Sequence, residues 1–88
     1  MDSMRYITTP AQAGSIVATR RKALRIPQQA LARQLGISQN RLSELEDSPE
    51  KLTLERLLAM LNLLGLELAI HERDAQPATR GTSKKVEW

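Results

Sequence analysis

The 88-residue sequence has no cysteine and one histidine, His71. Disulfides and thiolate metal sites are therefore excluded, and a zinc site would have only one imidazole to build on. Phenylalanine is absent, and Tyr6 and Trp88 are the only aromatic residues, so a core must be built from Leu, Ile, Val and Ala. An aliphatic core suits packed helices better than a β-sandwich, whose strands draw on aromatic and β-branched side chains. No apolar run is long enough to span a bilayer, and MDSMRYITTPAQ at the N-terminus lacks the apolar segment of a signal peptide. These absences predict one small soluble domain in the cytoplasm, with no membrane partner. No glycine-rich loop could cradle a phosphate. His71 has no Ser or Cys nucleophile in a recognisable motif beside it, and ELEDSPE lacks the ligand spacing of an EF-hand. Neither an enzyme nor a metal or other cofactor is expected.

Acid is missing from almost half the chain. Between Ser3 and Ser43 stand seven basic residues (Arg5, Arg20, Arg21, Lys22, Arg25, Arg33, Arg41) and no Asp or Glu. From Glu44 to Asp74 the sign reverses, with eight acids against Lys51, Arg56 and Arg73. The net charge of +3 hides this division. A front half of one sign is what a polyanion-binding surface requires, although a solvated basic face has the same composition.

What is present reads as four helices. TPAQAGSIVATRRKAL opens with Thr9, Pro10 and Gln12 at the offsets of a cap, a first-turn proline and a capping-box partner. Its apolar positions Ala13, Ile16, Val17 and Leu24 are expected on one face. PQQALARQL predicts a short second helix stopped by Gly36, with Ala30, Leu31 and Leu35 inward. Ser38 can cap a third, QNRLSELE, whose Leu42 and Leu45 point to the core. The loop DSPEK leads to a fourth helix, LERLLAMLNLL, capped by Thr53 and ended by Gly65. The period then changes. In LELAIHE, Leu66, Leu68 and Ile70 alternate with Glu67, Ala69 and His71, a strand pattern with one apolar face. A lone strand is not stable, so its partner would be RYIT near the N-terminus or the same strand of a second copy. The polar DAQPATRGTSKKVEW predicts a flexible tail. The organisation is thus an arm (1–8), a helical domain (9–65), a dimerisation strand (66–72) and a tail (73–88).

The informative motif is QQALARQLGISQNRLSELE, two short helices joined by a tight turn. Leu31 and Ala32 pack inward, Gly36 permits a left-handed turn, Ile37 fills the gap and Ser38 starts the next helix. This is the pattern of a helix-turn-helix. After Ser38, the exposed Gln39, Asn40, Arg41 and Ser43 can all hydrogen-bond base edges; Gln and Asn suit adenine and Arg suits guanine. Pro27 offers no side-chain cap to the second helix, which leaves the amides of Gln28 and Gln29 free for a DNA phosphate. Gln28, Gln29 and Arg33 are the candidate phosphate contacts, and Ser38 is a further candidate DNA contact.

Gly14, Val17, Arg21, LARQLGISQNRLSELE and the Leu-rich helix after it resemble the lambda-repressor-like (XRE) helix-turn-helix family over roughly residues 10 to 65. The following strand, polar tail and terminal EW are similar, more narrowly, to HipB-type antitoxins. The resemblance implies an all-α, lambda-repressor-like bundle with a short C-terminal strand paired across a homodimer through Leu66, Leu68 and Ile70. It also implies binding to double-stranded operator DNA in the nucleoid, autoregulated repression, and a HipA-type kinase toxin as partner. Arg21 and Glu46 match the family's ion pair between the first and third helices, a structural role. Two positions depart from the pattern: Pro27 stands where Ser or Thr usually caps, and Arg25 where a Gly commonly precedes the second helix.

Trp88 follows a polar stretch beside Glu87 and the chain's own carboxylate, and burying it against its own domain would strand those charges. It is expected to anchor the tail in a pocket of the toxin, with Lys84 and Lys85 adding charge contacts.

Overall fold

Thr9 starts the first helix as its sequence predicts. Its hydroxyl accepts from the Gln12 amide, the Gln12 side chain accepts from the Thr9 amide, and Pro10 takes the first helical position. In the computed structural model, which describes residues 4–73, this helix, α1, spans Pro10–Ala23. The others are α2 (Gln28–Leu35), α3 (Gln39–Asp47) and α4 (Leu54–Leu63). Ser38 and Thr53 cap α3 and α4 by accepting from the third amide beyond them, each at 3.0 Å. The loop between α3 and α4 is more ordered than its composition suggests: Pro49–Lys51 forms a 3-10 turn.

Three helices end with the same pair of backbone bonds. After α2, the amides of Gly36 and Ile37 reach back to the carbonyls of Arg33 and Ala32. After α4, Gly65 and Leu66 reach Asn62 and Leu61, and after α1, Arg25 and Ile26 reach Lys22 and Arg21. The motif requires a left-handed residue at the turn, which glycine adopts without steric cost. Gly36 and Gly65 both have φ of 74°, whereas Arg25 holds φ of 61° with a full side chain.

The core is aliphatic: Val17, Leu31, Ala32, Leu42, Met60, Leu61 and Leu64 form one buried cluster, bordered by Ile26, Leu35, Ile37, Leu52, Leu57 and Leu66. Leu45 and Ala13 are also buried. On α1 the buried stripe is Ala13, Val17 and Arg21, at a spacing of four. This corrects the expected face, because Leu24 lies where the helix ends and is 41% exposed, while Ile16 is half-buried.

Side chains distant in sequence lock the helices. The Arg20 guanidinium donates to the Leu64 carbonyl at the end of α4 (2.9 Å), and Arg56 donates to the Leu35 carbonyl at the end of α2 (3.2 Å). Each satisfies a carbonyl that its helix leaves unpaired. Gly14 lets α1 approach the end of α3. A Cβ there would lie 2.8 Å from the Glu46 carbonyl oxygen and 2.7 Å from Pro49 Cγ.

The described residues contain no strand. Residues 66–72 follow α4 without a backbone ladder, and the pairing with RYIT, one of the two partners considered for this stretch, is not formed, although the Tyr6 and His71 rings lie 5.2 Å apart. A strand needs hydrogen bonds from a neighbour, and one chain supplies none here. Leu66 is half-buried, but Leu68 is 43% and Ile70 91% exposed. Lys84, Lys85 and Trp88 lie outside the described residues.

Candidate nucleic-acid interface

α2 and α3 are joined by only Gly36, Ile37 and Ser38. Leu31 and Ala32 of α2 and Leu42 and Leu45 of α3 are buried, which fixes the two helices through their inner faces. The opposite edge of α3 is open: Gln39, Asn40 and Arg41 are exposed, and Ser43 is half-buried. Ser38 is exposed as well, but its hydroxyl oxygen accepts the Arg41 amide, so it serves first as the cap of α3.

The far end of α3 is held by a buried ion pair. Arg21 Nε and Nη2 donate to the two carboxylate oxygens of Glu46 at 2.8 and 3.2 Å, with the side chains 8% and 5% exposed. The remaining guanidinium nitrogen, Nη1, donates to the Ile26 carbonyl at 3.0 Å. This two-pronged geometry suits the planar guanidinium and leaves little freedom in the angle between α1 and α3.

Gln28 carries the constraint to the exposed edge. Its amide nitrogen donates to Glu46 Oε1 at 2.9 Å, and its carbonyl oxygen accepts from Gln39 Nε2 at 3.4 Å. Arg21, Glu46, Gln28 and Gln39 therefore form one chain of hydrogen bonds from the core to the first residue of α3. This changes the part expected of Gln28, whose side chain is committed to this network. What it keeps for an anion is its backbone amide, at a helix start where Pro27 supplies no side-chain cap. Gln29 and Arg33 are exposed on α2.

Arg41 is also engaged. Its guanidinium donates to Glu44 at 2.9 Å, and Lys51 Nζ reaches the other oxygen of that carboxylate at 2.7 Å. Lys51 first, then Arg41, hold the Glu44 carboxyl below its ordinary range. All three groups are 41–50% exposed, so the pairs are screened and a guanine edge can compete for Arg41.

A family model described as a helix-turn-helix domain matches residues 1–72. The chain belongs to the helix-turn-helix domain family. Among curated proteins, nothing matches the sequence. Membership agrees with the all-helical arrangement and points to DNA binding and transcription regulation. No helix among the described residues is long and apolar enough to cross a membrane, and no group of His, Cys, Asp or Glu there could hold a metal ion.

From the sequence Arg41 is expected only as a base contact; its spacing from Glu44, three apart on a helix, is the signal that could have marked their pairing. Nothing local marked Arg20 or Arg56 as helix clamps, because their partners lie 44 and 21 residues away.

Proposed function

We propose that this chain is a DNA-binding transcriptional repressor that inserts the start of α3 into the major groove. The observation that carries the reading is the row Gln39, Asn40, Arg41, exposed at the capped start of α3 while the rest of that helix is clamped through Glu46. Base edges would be met by Gln39, Asn40, Arg41 and Ser43, and phosphates by the α2 start, Gln29, Arg33 and the Ser38 hydroxyl. The protein has no catalytic part in this scheme.

It acts as a homodimer. Leu68 and Ile70, uncovered in one chain, would be buried if residues 66–72 paired with their copy across a two-fold axis, beside the half-buried Leu66. Such a dimer would set its recognition helices about 34 Å apart, one turn of DNA. The narrower reading is a HipB-type antitoxin that represses its own operon and binds a HipA-type kinase toxin, with Lys84, Lys85 and Trp88 docking on that partner. This rests on the similarity of the strand and terminal EW. A stand-alone repressor uses the same DNA face, and an interaction module that has lost DNA binding would show no salt-dependent binding to its own promoter.

The deciding experiment measures binding to the promoter of its own gene across a salt series. Gln39→Ala and Asn40→Ala should each cost roughly 1–3 kcal/mol and relax preference at one base pair. Unchanged affinity in both would refute the assignment. Truncation after Gly65 should give monomers in sedimentation. A fusion of residues 74–88 to a carrier should bind the kinase-fold product of a neighbouring gene, and Trp88→Ala should abolish that binding.

A further inference from the structure

We infer that Arg25 is an additional DNA-phosphate contact, placed at the turn before α2 at the expense of a left-handed backbone; the inference rests on the DNA-binding reading above. Of the three helix ends built on the same pair of backbone bonds, two use glycine, and only the end of α1 places a long cationic residue at the left-handed position. A non-glycine residue there crowds its own Cβ against the backbone, so glycine would be the cheaper choice for folding. The turn's backbone bonds are the same as those at the glycine ends, and no side-chain hydrogen bond or ion pair of Arg25 within the described residues offsets that cost. Between residues 10 and 65 there are eight lysines and arginines. Five are engaged: Arg20 with Leu64, Arg21 with Glu46, Arg41 and Lys51 with Glu44, and Arg56 with Leu35. The Arg25 side chain is exposed and makes no hydrogen bond or ion pair among the described residues; Lys22 and Arg33 are the other two such cations.

Position supports a phosphate as its partner. Arg25 stands three residues before Gln28, hence within about 11 Å of it along the chain. Gln28 in turn touches Gln39 at the start of α3. With that start in a groove about 12 Å wide, an arginine at this turn is within reach of the bordering phosphate strand. The uncapped amides of α2 face the same chain turn, so backbone and guanidinium would hold successive phosphates. The left-handed geometry sends the chain from α1 into α2, and the side chain it carries adds charge at that border.

The test uses the full chain with Arg25→Gly and Arg25→Lys. Each is measured for melting temperature and for binding, across a salt series, to a duplex of its own promoter and a random-sequence duplex of equal length. Arg25→Gly is expected to melt higher than the wild type yet bind both duplexes about tenfold more weakly, the loss of one charge-assisted hydrogen bond. Its log-log salt slope should be shallower by about 0.9 per bound subunit, while Arg25→Lys retains the wild-type slope. Wild-type affinity and slope in Arg25→Gly would overturn the proposal while leaving the DNA-binding reading intact. A lower melting temperature in Arg25→Gly would also overturn it, by showing that the side chain serves the free fold. Failure of the wild type to bind either duplex would overturn both readings.

Discussion

Replacing Glu46 with alanine tests whether the recognition helix is held from inside the protein. The substitution removes two hydrogen bonds from Arg21 and one from Gln28, and leaves a guanidinium 8% exposed with only the Ile26 carbonyl as partner. Breaking a buried pair by deleting one partner costs about 3–5 kcal/mol, mostly the uncompensated charge that stays behind. A domain of this size has about 5–10 kcal/mol of stability in total. The melting temperature should therefore fall by about 12 °C or more, at roughly 4 °C or more per kcal/mol. Arg21→Met combined with Glu46→Leu removes both charges and should recover most of the loss, since well-packed apolar pairs often match buried ion pairs. Gln28→Ala leaves the pair intact and should cost about 1 kcal/mol. Urea unfolding at neutral pH, compared at constant slope with the wild type, measures all three variants. If Glu46→Ala costs less than about 1 kcal/mol, the pair behaves as an exposed one and the argument from burial is wrong. If the double variant is no better than Glu46→Ala, the loss comes from packing and not from stranded charge.

Gly14→Ala should destabilise by about 1–3 kcal/mol despite alanine's better helix propensity, because the added methyl meets the Glu46 carbonyl and Pro49 at under 3 Å; thermal melts measure this, and a stabilised variant would refute it. Glu44 sets a pH dependence. Its folded pKa lies below the ordinary 4.5, so its contribution is complete above that value and is lost as the pH falls through the lowered one. The stability difference between wild type and Glu44→Gln should accordingly be flat at neutral pH and shrink below about pH 4.5, followed by urea unfolding; a difference that grows with acidity would reverse the assigned sign.

Local chemistry in the sequence determined the helix starts and the inner face of the turn motif. Thr9, Ser38 and Thr53 cap as their side chains dictate, and Leu31, Ala32, Leu42 and Leu45 are buried as their spacing requires, because caps and helical periodicity are settled within one or two turns. The exposed start of α3 was legible for the same reason. Similarity to a family, and not spacing, brought Arg21 and Glu46 together in the reading. Only the tertiary structure decided that Gln28 joins their pair to Gln39, that Arg20 and Arg56 close the ends of other helices, and that Leu24 leaves the core while Arg21 enters it. Those outcomes depend on which polar groups the folded chain brings within hydrogen-bond distance, and separations of 11 to 44 residues leave no periodic trace. The left-handed Arg25 lies between the two cases. The double turn bond after α1 requires a positive φ at that residue, and the sequence places arginine where that geometry favours glycine.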